Sequence, residues 1–133
     1  MREGALSAWL LSAWEQLAAR HALAVLSSRL GLQPSIAGRL VHRGVEVDYV
    51  IVDEENEAVL AAEAKWSSLG RRGAEETARE TMAKPLCCAA SPLPRLRVQV
   101  ALYLRSVEGP GPQGAVVVEP DDLPWRSGCP SRG

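Results

Sequence analysis

Lysine is nearly missing from this sequence. Lys65 and Lys84 stand against thirteen arginines, so each of the two ammonium groups asks for a reason. Cysteine is scarce too. Cys87 and Cys88 are adjacent and Cys129 stands near the C-terminal end; three cysteines without a spacing pattern supply neither a disulfide framework nor a zinc site. A reducing, cytoplasmic setting is the expectation, and the vicinal pair reads as small core-filling residues. His21 and His42 are too far apart and too unaccompanied to read as ligands, so both are expected to be structural. No apolar run is long enough to cross a membrane. Arg2 followed by Ala5 to Trp14 has the outline of a signal peptide, but Glu3 offsets the leading charge and Glu15 stops the run after about ten residues. Charge of either sign is not in excess: the formal net charge is −1, which gives no long-range pull toward nucleic acid and leaves local binding open.

What is present is a chain rich enough in apolar residues, 47% of 133, to build one compact domain. Residues 1–123 are expected to form it, with 124–133 a frayed tail. Helical spacing predicts one long helix over 4–30, capped at Gly4 or Ser7, closed by Gly31 in the left-handed conformation, and apolar on most sides, hence largely buried. A short strand is expected over 38–43, then strands 46–53 and 58–66 joined by an acidic turn. A loop over 67–73, an exposed helix over 74–84, a break from Pro85 through 91–94, a strand over 95–105 and a last short strand over 114–120 complete the pattern. The order predicts an α/β fold, a central mixed sheet flanked by helices.

The hairpin EVDYVIVDEENEAVLAAEAKW, residues 46–66, places its charges oddly. Side chains alternate between faces along a strand, so Glu46, Asp48, Val50 and Val52 are expected on one face of the first arm, and Val59, Ala61, Glu63 and Lys65 on one face of the second. A two-residue turn at Glu55-Asn56 puts Asp48 opposite Glu63 and Glu46 opposite Lys65. A four-residue loop keeps that pairing, whereas a three- or five-residue loop shifts it. The favoured register gathers three carboxylates and one ammonium at the end away from the turn. Partly buried carboxylates repel each other unless a cation or proton intervenes, and converging oxygen ligands at an open end suit Mg²⁺. On the long helix, Glu15 is the single charge in the stripe Ala8, Leu11, Glu15, Ala18, Ala22 and Val25, and the hairpin end is the partner that would satisfy it.

Asp48, a hairpin, Glu63-Ala64-Lys65 and an upstream helix carrying Glu15 together resemble the PD-(D/E)xK nuclease superfamily, the restriction-endonuclease-like fold. The element order is similar to its αβββαβ core, so the resemblance spans most of the chain. In length the chain resembles the archaeal Holliday-junction resolvases. In wording, EVDYVIVD followed by EAKWSS is similar to the pattern of the nuclease-like domain appended to some archaeal ATPases. Val47 stands where the superfamily's name has Pro.

The resemblance implies a metal-dependent DNA endonuclease that hydrolyses phosphodiester bonds on branched or double-stranded DNA, as a homodimer. It implies Asp48, Glu63, the Ala64 carbonyl and Glu15 as ligands of Mg²⁺ or Mn²⁺, and Lys65 as the group that orients the attacking water and helps deprotonate it. Glu46 is an additional acid, expected to pair with Lys65 or to tune it. Arg71 and Arg72, with Arg39, Arg43, Arg95, Arg97 and Arg105 widening the patch, are expected to grip phosphates, which gives affinity without sequence information. Gln99 and Tyr103 match a spacing found on a helix in RecB-type nucleases, but alternation here argues for a strand. The alternative implied is a nuclease-like domain without catalysis, serving as a nucleic-acid or protein interaction module.

Overall fold

The computed structural model describes residues 2–84 and 97–123, with side chains of residues 2–7 excepted. The readings made for Cys87, Cys88, Cys129, Arg95, the break at 85–94 and the tail from 124 lie outside the described residues. The elements are helix α1 (Arg2–His21), a π-helical turn (Ala22–Leu26) and a last helical turn α2 (Ser27–Arg29), then strands β1 (Ile36–His42), β2 (Val45–Asp53) and β3 (Ala58–Leu69), helix α3 (Arg71–Met82), and strands β4 (Arg97–Val107) and β5 (Ala115–Val118). One five-stranded mixed sheet runs in the order β1-β2-β3-β4-β5. The first three strands are antiparallel neighbours; β4 runs parallel to β3, and β5 parallel to β4. The α/β class is thus as expected.

Gly31 closes the long helical run as its sequence position predicts. Its φ is +76°, and the amides of Gly31 and Leu32 donate back to the Ser28 and Ser27 carbonyls, the paired bonds of a Schellman stop. The helix differs from expectation in its start, at Arg2, and in its burial. Among its described side chains one stripe is buried, Trp14, Ala18, His21, Ala22 and Leu26, while Trp9 is 65% exposed and Leu11, Leu17 and Leu23 also face outward. One side of a helix can reach one sheet face; among the described residues no further element covers the remaining apolar side chains.

The sheet is apolar on both faces because both are covered. On one face Ile51, Leu60, Ala62, Ala64, Ala101 and Tyr103 pack against the α1 stripe. On the other, Val100, Leu102 and Leu104 pack against Ala74 and Ala78 of α3. Each of the fully buried Leu, Ile and Val side chains contributes about 1.5–3 kcal/mol by leaving water. The loop expected over 67–73 does not exist as such: β3 continues to Leu69 and α3 begins at Arg71, because the parallel partner β4 carries β3 onward with Ser68 beside Ser106 and Leu69 beside Val107.

The β2–β3 register is the expected one. Tyr49 pairs with Ala62 and Asp53 with Ala58, across a four-residue loop. Asp53 sets it. Its carboxylate is fully buried and accepts hydrogen bonds from the Gln33 amide at 2.9 Å, the Asn56 amide at 3.1 Å and the Asn56 side chain at 2.7 Å. These bonds hold its pKa below the ordinary carboxylate value, the Asn56 side chain foremost. A second polar knot ties α1 to β4. Trp14 Nε1 donates to the Tyr103 carbonyl at 2.8 Å, and the Tyr103 hydroxyl lies 2.8 Å from His21 Nδ1. Burial pushes the Tyr103 phenol far up. Burial also pushes His21 down, with Arg29 adding repulsion and Asp122 opposing it.

Two outcomes are expected. Asp53→Ala unfastens the turn and lowers Tm by several degrees in a circular-dichroism melt. The stability Asp53 provides is whole above the ordinary Asp pKa and is lost as pH falls through its lower folded value, so wild type and variant converge in acid. Tyr103→Phe strands the buried His21 nitrogen and costs about 1–3 kcal/mol in urea unfolding. Because His21 is held below the ordinary value of about 6.5, its contribution is whole above that pH and drains as pH falls. Urea titrations at pH 7 and pH 5 should show a larger loss in wild type than in His21→Gln.

Candidate functional site

Two β-bulges frame the carboxylates. On β1, Gly38 pairs with Val50 but Leu40 with Val47, so Arg39 alone faces both Asp48 and Tyr49 of β2. On β3, Lys65 pairs with Leu104 but Ser68 with Ser106, so Trp66 and Ser67 together face Arg105. A bulge inverts alternation and re-aims side chains. Its effect corrects the expected face: Val47, not Glu46, packs with Val50 and Val52 on the covered side. Glu46 sits beside Val41 of β1 and ion-pairs with Arg39 at 3.1 Å on the exposed surface. The expected Glu46–Lys65 pair is therefore not formed; the β2–β3 ladder ends at Tyr49 and Ala62, before reaching either residue.

Where that ladder ends, side chains take over its bonds. The Ala64 amide donates to Asp48 Oδ2 at 2.8 Å, and the Asp48 amide points to Glu63 Oε1 at a long 3.4 Å. Asp48 and Glu63 are thus neighbours just beyond the end of the ladder, each leaning on the other strand's backbone. Glu15 joins them from α1. Its pKa is raised, chiefly by burial and then by the Asp48 charge, with Arg39 opposing and Glu63 adding. The Glu63 pKa is raised by burial, with Lys84 opposing and Asp48 adding. Three mutually repelling carboxylates therefore share one end of the sheet.

The cation that answers them is Lys84, which sequence reasoning left on an exposed helix. Its Nζ reaches Glu63 Oε2 and the Glu46 carbonyl oxygen, both at 2.5 Å. The one available signal was the rarity of lysine; the 21-residue separation from Glu63 gave no other. Lys65 is exposed and makes no ion pair among the described residues. A cleft of about 760 Å³ holds Glu15, Asp48, Glu63, Lys65, Lys84 and Arg105, with Leu10, Leu11 and Trp66 as its apolar wall. Trp66 stands edge-on to Trp14, ring centres 5.3 Å apart. Arg105 is steadied by Ser68, whose Oγ accepts from Arg105 Nη2 at 3.1 Å.

Of the arginines expected to bind phosphate, Arg105 lines this cleft, whereas Arg39, Arg43, Arg71, Arg72 and Arg97 do not. Arg71 is tied to Glu75 one helical turn on, at 3.2 Å. Arg39 is engaged with Glu46, and Arg43 occupies the β1–β2 turn with φ +49°. Gln99 is exposed and Tyr103 buried, both on a strand.

Among the described residues, no three His, Cys, Asp or Glu side chains converge closely enough to hold a metal as they stand. The donor set is nonetheless right in kind for a hard divalent ion: Asp48 and Glu63 carboxylates from facing strands, with Glu15 beside them and negative charge left over. No helix among the described residues is long and apolar enough to cross a membrane.

Glu15→Gln is expected to raise Tm at pH 7 by relieving repulsion with Asp48 and Glu63. A raised carboxyl pKa contributes stability below its unfolded value and loses it as pH rises, so the gain should vanish near pH 4. Melts at both pH values check this.

No curated protein and no solved structure matches the chain. A family model does, over residues 3–77, which run from α1 through the whole hairpin into α3 and so include Glu15, Asp48, Glu63 and Lys65 but not Lys84. That stretch is more than half of the sequence, and the chain belongs to the DUF234 family, described as Archaea bacterial proteins of unknown function.

Proposed function

We propose that this chain is a metal-dependent phosphodiesterase of restriction-endonuclease-like design acting on DNA. The observation that carries the reading is the facing of Asp48 and Glu63 across the open end of a hairpin, with Glu15 arriving from the first helix. The order of helices and strands, and the parallel fourth strand, support it.

In this reading Asp48 and Glu63 hold Mg²⁺ or Mn²⁺, with Glu15 and the Ala64 carbonyl completing the protein's share of ligands. The ion, when bound, supplies a water of lowered pKa and charge stabilisation at the phosphate. The chain's own residues do the rest. The Ala64 amide fixes the Asp48 carboxylate through its hydrogen bond. Lys65, on the cleft lining, orients the attacking water and helps deprotonate it, and Arg105, also on that lining, offers a cation to a phosphate oxygen. Leu10, Leu11 and Trp66 make one wall apolar. Arg71, Arg72, Arg39 and Arg43 lie outside the cleft lining and serve, in this reading, as backbone contacts along the DNA. A homodimer follows from the resemblance rather than from any contact.

One observation favours a second reading. Glu63 is already neutralised by Lys84, as befits a nuclease-like domain that binds nucleic acid or protein without cutting. The same experiment separates the two. Branched and double-stranded DNA incubated with Mg²⁺ or Mn²⁺ should be cleaved, and Asp48→Ala should slow cleavage at least about 100-fold, the loss of several kcal/mol of transition-state stabilisation. Salt-sensitive DNA binding without cleavage by the wild type selects the second reading.

A further inference from the structure

We infer that Lys84 is a built-in counter-cation of this cleft, holding the place on Glu63 that a divalent ion must take, so that metal binding proceeds by displacing its ammonium group. The inference rests on the reading above.

The geometry is specific. Lys84 follows α3, whose last residue is Met82. From there its side chain crosses to the open end of the hairpin and touches both arms: the Glu46 carbonyl on β2 and Glu63 Oε2 on β3. It spans the gap that opens where the β2–β3 ladder stops at Tyr49 and Ala62. The pair is shielded, with Lys84 29% and Glu63 12% exposed, so water screens it less than an ordinary surface pair. Among the described residues, Lys84 is the one cation ion-paired to any of Glu15, Asp48 and Glu63.

The competition is steric as well as electrostatic. Glu63 Oε1 already faces the Asp48 amide, which leaves Oε2 as the oxygen for a ligand, and Oε2 holds the ammonium. A divalent ion needs that oxygen at roughly 2.0–2.1 Å, closer than the ammonium stands, so both cannot use the same lone pair. A lysine stem is flexible and can swing away once a stronger cation arrives. The residue therefore lets three carboxylates share one end of the sheet without metal, at the expense of metal affinity.

The test uses Mn²⁺ alone, without DNA, in calorimetric titrations of wild type, Lys84→Met, Lys84→Arg and the double variant Asp48→Ala with Lys84→Met. Lys84→Met should bind at least about fivefold more tightly than wild type, the factor expected when a partly shielded ion pair no longer has to be broken. Lys84→Arg should stay as weak as wild type, and the double variant should lose binding. The Mn²⁺-induced rise in Tm should follow the same order. If Lys84→Met does not retain wild-type circular dichroism, Lys84→Gln takes its place. Equal or weaker binding by the neutral variant, beside wild-type binding that Asp48→Ala abolishes, overturns the role of Lys84 and leaves the metal reading intact. Absence of Mn²⁺ binding in both wild type and neutral variant overturns both.

Discussion

Register is the constraint on which everything else in this molecule rests. A one-residue slip between β2 and β3 would send Asp48 and Glu63 to opposite faces, and the cleft would lose its chemistry while the fold lost little of its apolar area. Asp53 prevents that slip. Its buried carboxylate collects the amides of Gln33 and Asn56 and the Asn56 side chain, and so fixes the loop length between the arms. The residue that governs the site lies at the opposite end of the hairpin from it. Such a knot is satisfied only in one geometry, and no buried side-chain polar atom among the described residues is left without a partner.

Given that register, the strands part beyond Tyr49 and Ala62. A parted pair of strands leaves amides without ladder partners, and buried amides must be satisfied. Asp48 and Glu63 answer the need: each carboxylate takes a backbone N–H from the other strand. The same two groups are thus structural, as substitutes for a ladder, and chemically loaded, as neighbouring acids. Bulges on both sides, at Asp48-Tyr49 and Trp66-Ser67, turn the ends of the strands outward and make room for the cleft.

Much of this was legible in the sequence, for reasons that can be named. The alternation of Val, Ile and Ala across residues 46–66 shows both arms, and an acidic turn of even length keeps Asp48 opposite Glu63 whether two or four residues form it. Glu15 could be placed because helical spacing puts it on the stripe that continues to Ala18 and Ala22, both buried against the sheet. Gly31 announced its own left-handed stop. The bulges could not be read, since each depends on how β1 or β4 matches its neighbour, and nothing local marks Arg39 or Arg105 as the residue facing two. Val47 and Glu46 changed sides for that reason. The exposure of Trp9, Leu11 and Leu17 was also out of reach: periodicity shows that a helix has apolar faces but not how many partners will arrive to cover them. Lys84 sits 21 positions from the carboxylate it meets, just past the end of a helix whose sequence reads as plain surface.

The Trp14 indole, bonded to the Tyr103 carbonyl, has a consequence for how this domain could be tuned. Glu15 is the next residue, so the acid inherits its placement from a bond anchored in the middle of β4. Tyr103 in turn grips His21, two turns further along the same helix. The helix is therefore pinned to the sheet at two points, and its carboxylate cannot drift toward or away from the other two unless the interior anchor itself gives. Substitutions far from the cleft, at the centre of the protein, would act as fine adjustment of acid-to-acid spacing.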